Sequence, residues 1–228
     1  MARFHFVEDY ERVVDQLVRD HPIDEAMSIA VGGNFEIVGT VEAEILKYAG
    51  LRDGHSLVDF ACGSGRLAVA LSGRGLKIDY LGLDVVEALL AYARTRCPAG
   101  YKFVRNQSLT LPVESSSVDY FSAFSVFTHL LHTESFIYLR EMARSLRLGG
   151  KIVMSFLEFA EVAHWQVFEH SVHGKATDTL PHLNEFIERS QLKIWSNKLG
   201  FSDIEFVSGQ ESRWAEHPLG QSIAILTK

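Results

Sequence analysis

The fold is decided by Leu57-Val58-Asp59-Phe60-Ala61-Cys62-Gly63-Ser64-Gly65-Arg66, followed downstream by Tyr80-Leu81-Gly82-Leu83-Asp84. An apolar run ends in an acid, enters a glycine turn and opens a helical pattern. A second apolar run then ends in another carboxylate. This is the pattern of a Rossmann-type βαβ unit that binds a nucleoside, in which glycines let the backbone approach a ligand and the second acid takes ribose hydroxyls. Asp59 narrows the ligand. A carboxylate at the strand end would repel a pyrophosphate seated over the turn, whereas an ammonium group beside an adenosine would be attracted. S-adenosylmethionine carries that combination.

Working outward, the chain alternates strand and helix as a parallel sheet requires. Strands are predicted over 57–61, 78–83, 101–105, 118–123 and 151–156. Helices are predicted over 66–71, 87–96 and 134–146, the last stopped by Gly149-Gly150. A helix over 191–199 and two strands over 203–207 and 221–227 close the chain as an antiparallel hairpin. The expected fold is therefore α/β: a Rossmann-like, doubly wound, seven-stranded sheet, mostly parallel, with an antiparallel C-terminal hairpin and an N-terminal helical extension.

That extension is expected to span 1–39, ahead of a domain over 40–228. Val7, Tyr10, Val14, Leu17 and Val18 form one apolar helical stripe. Pro22 interrupts it, a short helix follows over 23–30, and a helix over 40–49 is capped by Thr40 and ended by Gly50. Between them, Gly32-Gly33 is either a plain linker or the hinge of a lid that lays Asn34 and Phe35 against the bound ligand.

The order of motifs resembles class I S-adenosylmethionine-dependent methyltransferases of the small-molecule type. The resemblance rests on Asp59-Phe-Ala-Cys-Gly-Ser-Gly, Leu111-Pro112, the strand from Val118 to Ala123, and Leu146-Arg147-Leu148-Gly149-Gly150-Lys151 with Ile152-Val153-Met154. It implies S-adenosylmethionine as cofactor. Main-chain groups of Ala61, Cys62, Gly63 and Gly65 would cradle the methionine portion, Asp59 its ammonium group and Asp84 the ribose, with Val85 on the adenine. In that family the residue matching Gln107 is commonly an aspartate that accepts the adenine amino group. An amide oxygen can still accept it, with Ser108 and Leu109 beside the adenine edge.

Several residues keep two readings. Asp84-Val85-Val86-Glu87 is also a capping box, in which the aspartate bonds the first-turn amides of the following helix. Arg66 either pairs with the carboxylate of the methionine portion or is a solvated first-turn residue. Cys62 reads as packing. The segment from Ala123 to His132 follows the fourth strand, and ligands in open α/β sheets bind outside the carboxyl ends of strands. Phe124 and Ser125 would therefore cover the cofactor. His129 and His132 are the general-base candidates, since imidazole changes charge near neutral pH, and the alternative is a structural hydrogen-bonding role. The stretch 158–183 is expected to cover the acceptor, with Phe35, Trp165 and Phe168, and also Trp214, as candidates to line its pocket. Glu158, Glu161 and His164 would share one helical face, but solvated side chains explain that spacing and no metal is expected.

Bulk properties set limits. The chain has 228 residues, 47% of them hydrophobic and 22% charged, which suits one globular domain. A net charge of −7 without basic clusters argues against a general nucleic-acid surface. Two cysteines, Cys62 and Cys97, imply no disulfide framework. No membrane span or signal peptide is expected, so a cytoplasmic monomer or homodimer is the default. The expected activity is methyl transfer from S-adenosylmethionine to oxygen or nitrogen of a small molecule. The competing readings are an NAD(P)-dependent oxidoreductase on the same scaffold and a non-catalytic S-adenosylmethionine-binding protein.

Overall fold

A computed structural model describes residues 7–177 and 184–228, the first three of them by backbone alone. Val7 of the predicted stripe is thus outside the described side chains, and the end of the predicted acceptor cover, 178–183, lies outside the described residues. Seven strands form one sheet in the order β3-β2-β1-β4-β5-β7-β6. They are β1 (Ser56–Phe60), β2 (Asp79–Asp84), β3 (Lys102–Arg105), β4 (Val118–Ala123), β5 (Leu146–Phe156), β6 (Asp203–Val207) and β7 (Ser222–Thr227). The first five run parallel, and β7 lies antiparallel between β5 and β6.

Side-chain alternation explains the two-sided burial. In β7, Ala224 and Leu226 enter one core with Tyr138, Leu139 and Met142, while Ile223 and Ile225 enter the opposite core with Ile45, Leu46 and Leu67. The first layer is built on α6 (His132–Ser145) and α8 (Arg189–Leu199), the second on α3 (Phe35–Tyr48), α4 (Arg66–Gly73) and α5 (Glu87–Arg96). The edge strands β3 and β6 carry charged residues, as strands open to water must.

Two predicted boundaries are corrected. α3 begins at Phe35 rather than at residue 40, so Thr40 caps nothing. Gly39 is tolerated inside that helix because a Cβ there would stand 2.6 Å from the Arg66 carbonyl oxygen, so α3 and α4 touch at this point. α6 ends at Ser145, and Leu146 already belongs to β5. Gly149-Gly150 lies within β5, where the register with β4 jumps from Val118↔Leu146 to Tyr120↔Lys151. The glycines stop no helix. They accommodate an irregular strand, with Gly149 at φ +78° and Gly150 against the Asp119 carbonyl.

Above the sheet's carboxyl edge sit α1 (Val7–Asp20) and α2 (Ile23–Ala30). Val14 and Met27 are buried against Val86 and Leu89, forming a small core of their own. The helix α7 (Val162–Ala176) extends beyond β5.

Candidate cofactor and acceptor cavity

A cavity of about 510 Å³ lies along the carboxyl ends of the central strands. Its floor comes from Asp59, Phe60, Ala61, Cys62 and Gly63 after β1, from Leu83, Asp84 and Val85 after β2, and from Phe124, Ser125, Val126, His129 and Leu130 after β4. Tyr10, Val13, Leu17, Ile29, Ala30, Val31 and Gly32 supply a roof from α1, α2 and the turn behind them. Asn106, Tyr138 and Gln221 complete the wall.

Asp84 is held by the backbone. Gly63 N–H donates to its Oδ2 at 2.9 Å, and Val85 and Val86 N–H donate to Oδ1 at 2.7 and 3.0 Å. The bonded amides precede α5, so the expected capping box with first-turn amides is replaced by a tighter clasp of the strand end. Burial pushes the Asp84 carboxyl upward, and these amides pull it back. A carboxylate has about four lone-pair sites, so one remains for a ligand hydroxyl.

Asp59 accepts the Tyr80 hydroxyl at 2.6 Å and the Ser122 hydroxyl at 2.8 Å. Burial raises its carboxyl to about 7, against these two stabilising bonds. The fixed negative charge expected from the sequence is therefore half-titrated near neutrality until a cation arrives.

The glycine turn borders the cavity through Ala61, Cys62 and Gly63 and is also approached closely by protein. A Cβ on Gly63, at φ +55°, would meet Val31 Cγ1 at 2.5 Å, and one on Gly65, at φ +84°, would meet Ala93 Cβ at 2.8 Å. Protein atoms of the roof and of α5 make the close approach. Ala61 is itself left-handed at φ +61°. Cys62 is buried against Gly82, and burial pushes its thiol well up, as a packing role requires.

Arg66 is not solvated. It is 9% exposed, bonds Glu42 of α3 through Nε at 3.0 Å and Nη2 at 2.5 Å, and reaches the Val31 carbonyl through Nη1. It still borders the cavity.

Other expected site residues fall elsewhere. Gln107, Ser108 and Leu109 do not line the cavity, and their neighbour Asn106 does. Gln107 Nε2 donates to Glu11 of α1 and to the Val85 carbonyl, the Ser108 carbonyl accepts the Tyr138 hydroxyl, and Leu109 packs on the α6-side core. His129 lines the cavity, but His132 turns to the Phe186 carbonyl at 2.9 Å, edge-on to Trp195. Phe35 opens α3 and does not line the cavity. Trp165 and Phe168 form an aromatic cluster with Phe159 and Phe186 outside it. Trp214 packs edge-on to Tyr48.

The Glu158, Glu161 and His164 set is consumed by structure. Arg189 bonds Glu158, His164 bonds the Gly220 carbonyl, and no metal-ligating cluster occurs among the described residues. No helix among the described residues is long and apolar enough to cross a membrane.

The sequence reading offered the N-terminal extension as a lid but did not assign its roof residues, nor the wall residues Asn106, Tyr138 and Gln221. Val13 sits three and four residues from Tyr10 and Leu17 on a helix, a spacing that groups all three on one face. Asn106 directly follows β3, and Gln221 directly precedes β7, so both stand at the ligand-binding edge.

Comparison with known proteins agrees with this arrangement. Residues 58–154 match the methyltransferase domain family. The chain is 26% identical over 168 residues to the biotin biosynthesis bifunctional protein of Cellvibrio japonicus, covering 73% of this chain and 32% of that protein. It is 29% identical over 112 residues to the demethylmenaquinone methyltransferase of Staphylococcus aureus, covering 48% of this chain and 46% of that protein. The chain thus matches less than half of the length of these curated relatives. A Thermotoga maritima protein described as an S-adenosylmethionine-dependent methyltransferase, possibly of histamine N-methyltransferase type, shares the fold. Its TM-score is 0.67 at 17% identity, over 98% of this chain and 99% of that one. The motif order, the sheet order and the domain match agree: residues 58–154 match a methyltransferase domain, within a fold shared with S-adenosylmethionine-dependent methyltransferases of known structure.

Proposed function

We propose that this protein binds S-adenosylmethionine in the cavity above β1, β2 and β4 and transfers its methyl group to a small, largely apolar acceptor. The observation that supports this most is the pairing of two buried carboxylates, Asp59 and Asp84, in one cavity whose Gly63 amide is already committed to Asp84. Asp84 keeps one acceptor site for a ribose hydroxyl. Asp59 gains its full charge as an ammonium group approaches. A pyrophosphate would meet two acids, and the Gly63 N–H is already spent on Asp84.

When bound, the cofactor supplies an electrophilic methyl on a sulfonium, so the protein's task is alignment and exclusion of water. The roof residues Tyr10, Val13, Leu17 and Ile29 exclude water over the floor. Asn106 replaces Gln107 as the residue at the adenine end. Arg66, already paired with Glu42, contributes positive potential toward the carboxylate of the methionine portion. His129 is the base for an acceptor hydroxyl, taking its proton as the oxygen attacks, and an amine acceptor needs positioning alone. The biotin- and menaquinone-related names of the curated relatives favour a small-molecule acceptor.

The test is incubation with methyl-labelled S-adenosylmethionine and a fractionated small-molecule extract, read by mass spectrometry. A labelled product that requires the protein supports the reading. Thermal stabilisation by NADH with none by S-adenosylhomocysteine contradicts it.

A further inference from the structure

Gln221 lines the same cavity as Asp59 and Asp84. β7 runs antiparallel to β5 with Ser222 opposite Phe156, so the residue before β7 stands at the sheet edge where β4 and β5 deliver their carboxyl ends. The order β2-β1-β4-β5-β7 puts four strand spacings, ~19 Å at about 4.8 Å each, between the Asp84 strand and β7. A nucleoside held at Asp84 leaves the Gln221 end to the acceptor.

Hydrogen bonding fixes which way the carboxamide points. Ser125 N–H donates to Ser155 Oγ at 2.7 Å, so that hydroxyl accepts there and sends its own proton to Gln221 Oε1, 2.6 Å away. The oxygen end is anchored. The Nε2 amino group, with two protons, finds no partner among the described residues. The backbone on either side is equally fixed. Glu158 N–H donates to His164 Nδ1, so His164 Nε2–H donates to the Gly220 carbonyl at 2.9 Å. Gly220 N–H donates to the Gly209 carbonyl at 2.9 Å, and Ser222 Oγ donates to buried Glu158 at 2.5 Å. Gly209 presses on this segment so closely that a Cβ would lie 2.6 Å from the Gln221 carbonyl carbon. Ser125 holds a left-handed backbone at φ +56°, a conformation that a non-glycine residue keeps only where its surroundings over-determine it. The nearby wall of Phe124, Val126 and Leu130 is apolar.

An oriented donor in an apolar wall rewards a ligand that offers an oxygen and penalises one that covers it without an acceptor. We propose that Gln221 Nε2 recognises an oxygen of the methyl acceptor, and therefore that the acceptor is an apolar molecule bearing a hydrogen-bond-accepting oxygen. Gln221 is then a specificity-determining residue, with Ser155 and Ser125 as its positioning residues. This rests on the methyltransferase reading above.

The test uses two probes of nearly equal shape, acetophenone and α-methylstyrene, which differ by C=O against C=CH2. Their dissociation constants are measured by ligand-observed NMR on protein saturated with S-adenosylhomocysteine, whose own binding is followed by calorimetry. Wild type is expected to prefer acetophenone roughly three- to tenfold. Gln221→Leu removes the donor, and Gln221→Glu replaces it with an acceptor while keeping the shape, so both are expected to lose the preference. The same preference in all three proteins, or none in wild type that binds S-adenosylhomocysteine, overturns this inference alone. No binding of S-adenosylhomocysteine by wild type overturns it together with the methyltransferase reading.

Discussion

Asp59 and Asp84 stand at the carboxyl ends of adjacent strands, yet their surroundings ask different things of them. Asp84 is gripped by three amides, and Asp59 by two hydroxyls that only partly offset its burial. The Asp59 carboxyl lies above its unfolded value, so its protonated form favours the fold. That contribution is complete below about pH 4 and is lost as pH rises toward about 7. Asp59→Asn is predicted to remove a slope of up to about 1.4 kcal/mol per pH unit in this window, measured by urea unfolding of the ligand-free protein between pH 4 and 8. An unchanged slope would locate the titration elsewhere. The same charge change predicts that S-adenosylhomocysteine binds wild type more weakly at pH 6 than at pH 8, with the Asn variant insensitive. Both acids were legible in the sequence because each stands where an apolar run gives way to a turn, which marks the carboxyl end of a strand. Their hydroxyl and amide partners, Tyr80 and Ser122 among them, come from neighbouring strands and depended on register.

At the scale of elements, α4 is clamped between α3 and α5. Gly65 meets Ala93 of α5 while its φ is positive, so Gly65→Ala combines backbone strain with overpacking. A loss of about 2 kcal/mol is predicted, or roughly 4–8 °C in Tm for a chain of this size, checked by calorimetric melting. On the other side, Glu42 of α3 is buried against Arg66, and burial leaves its carboxyl above the usual range despite the guanidinium. Breaking such a pair strands a charge. Glu42→Leu is predicted to cost about 3–5 kcal/mol, and adding Arg66→Met to recover much of it, in a double-mutant cycle by urea unfolding. A double-variant loss equal to the sum of the two single losses would show that the pair is not coupled. Strand and helix positions were readable from periodicity, because each core strand is apolar and bounded by turn residues. The start of α3 and the entry into β5 were not. Gly39 reads as a poor helix residue until the Arg66 carbonyl is placed against it, and Gly149-Gly150 reads as a stop until the β4 register is known.

The whole molecule is a rigid sheet under a lightly attached roof. α1 and α2 hold each other, and they meet the body through the Val14 and Met27 core, through Arg105 and Gln107 on Glu11, through Tyr92 and Arg96 on Asp24, and through Ser64 on the Met27 carbonyl. Elements with so few buried contacts open first. Amides of α2 are therefore predicted to exchange faster than those of β4 and β5 in free protein, and to gain protection with S-adenosylhomocysteine, by hydrogen–deuterium exchange. The seven-strand order was expected from the terminal hairpin and the motif order. Which residues of the N-terminal extension roof the cavity was not, because no local pattern says which face of an amphipathic helix covers a ligand and which covers a core. Val14 and Val13 are neighbours with opposite fates. The central claim is that Asp84 anchors S-adenosylmethionine in this cavity. Calorimetric titration of S-adenosylhomocysteine into wild type and Asp84→Ala tests it most directly. The account predicts saturable one-to-one binding to wild type, weakened about tenfold or more in the variant. Equal affinity in both proteins, or binding of NADH in its place, would contradict it.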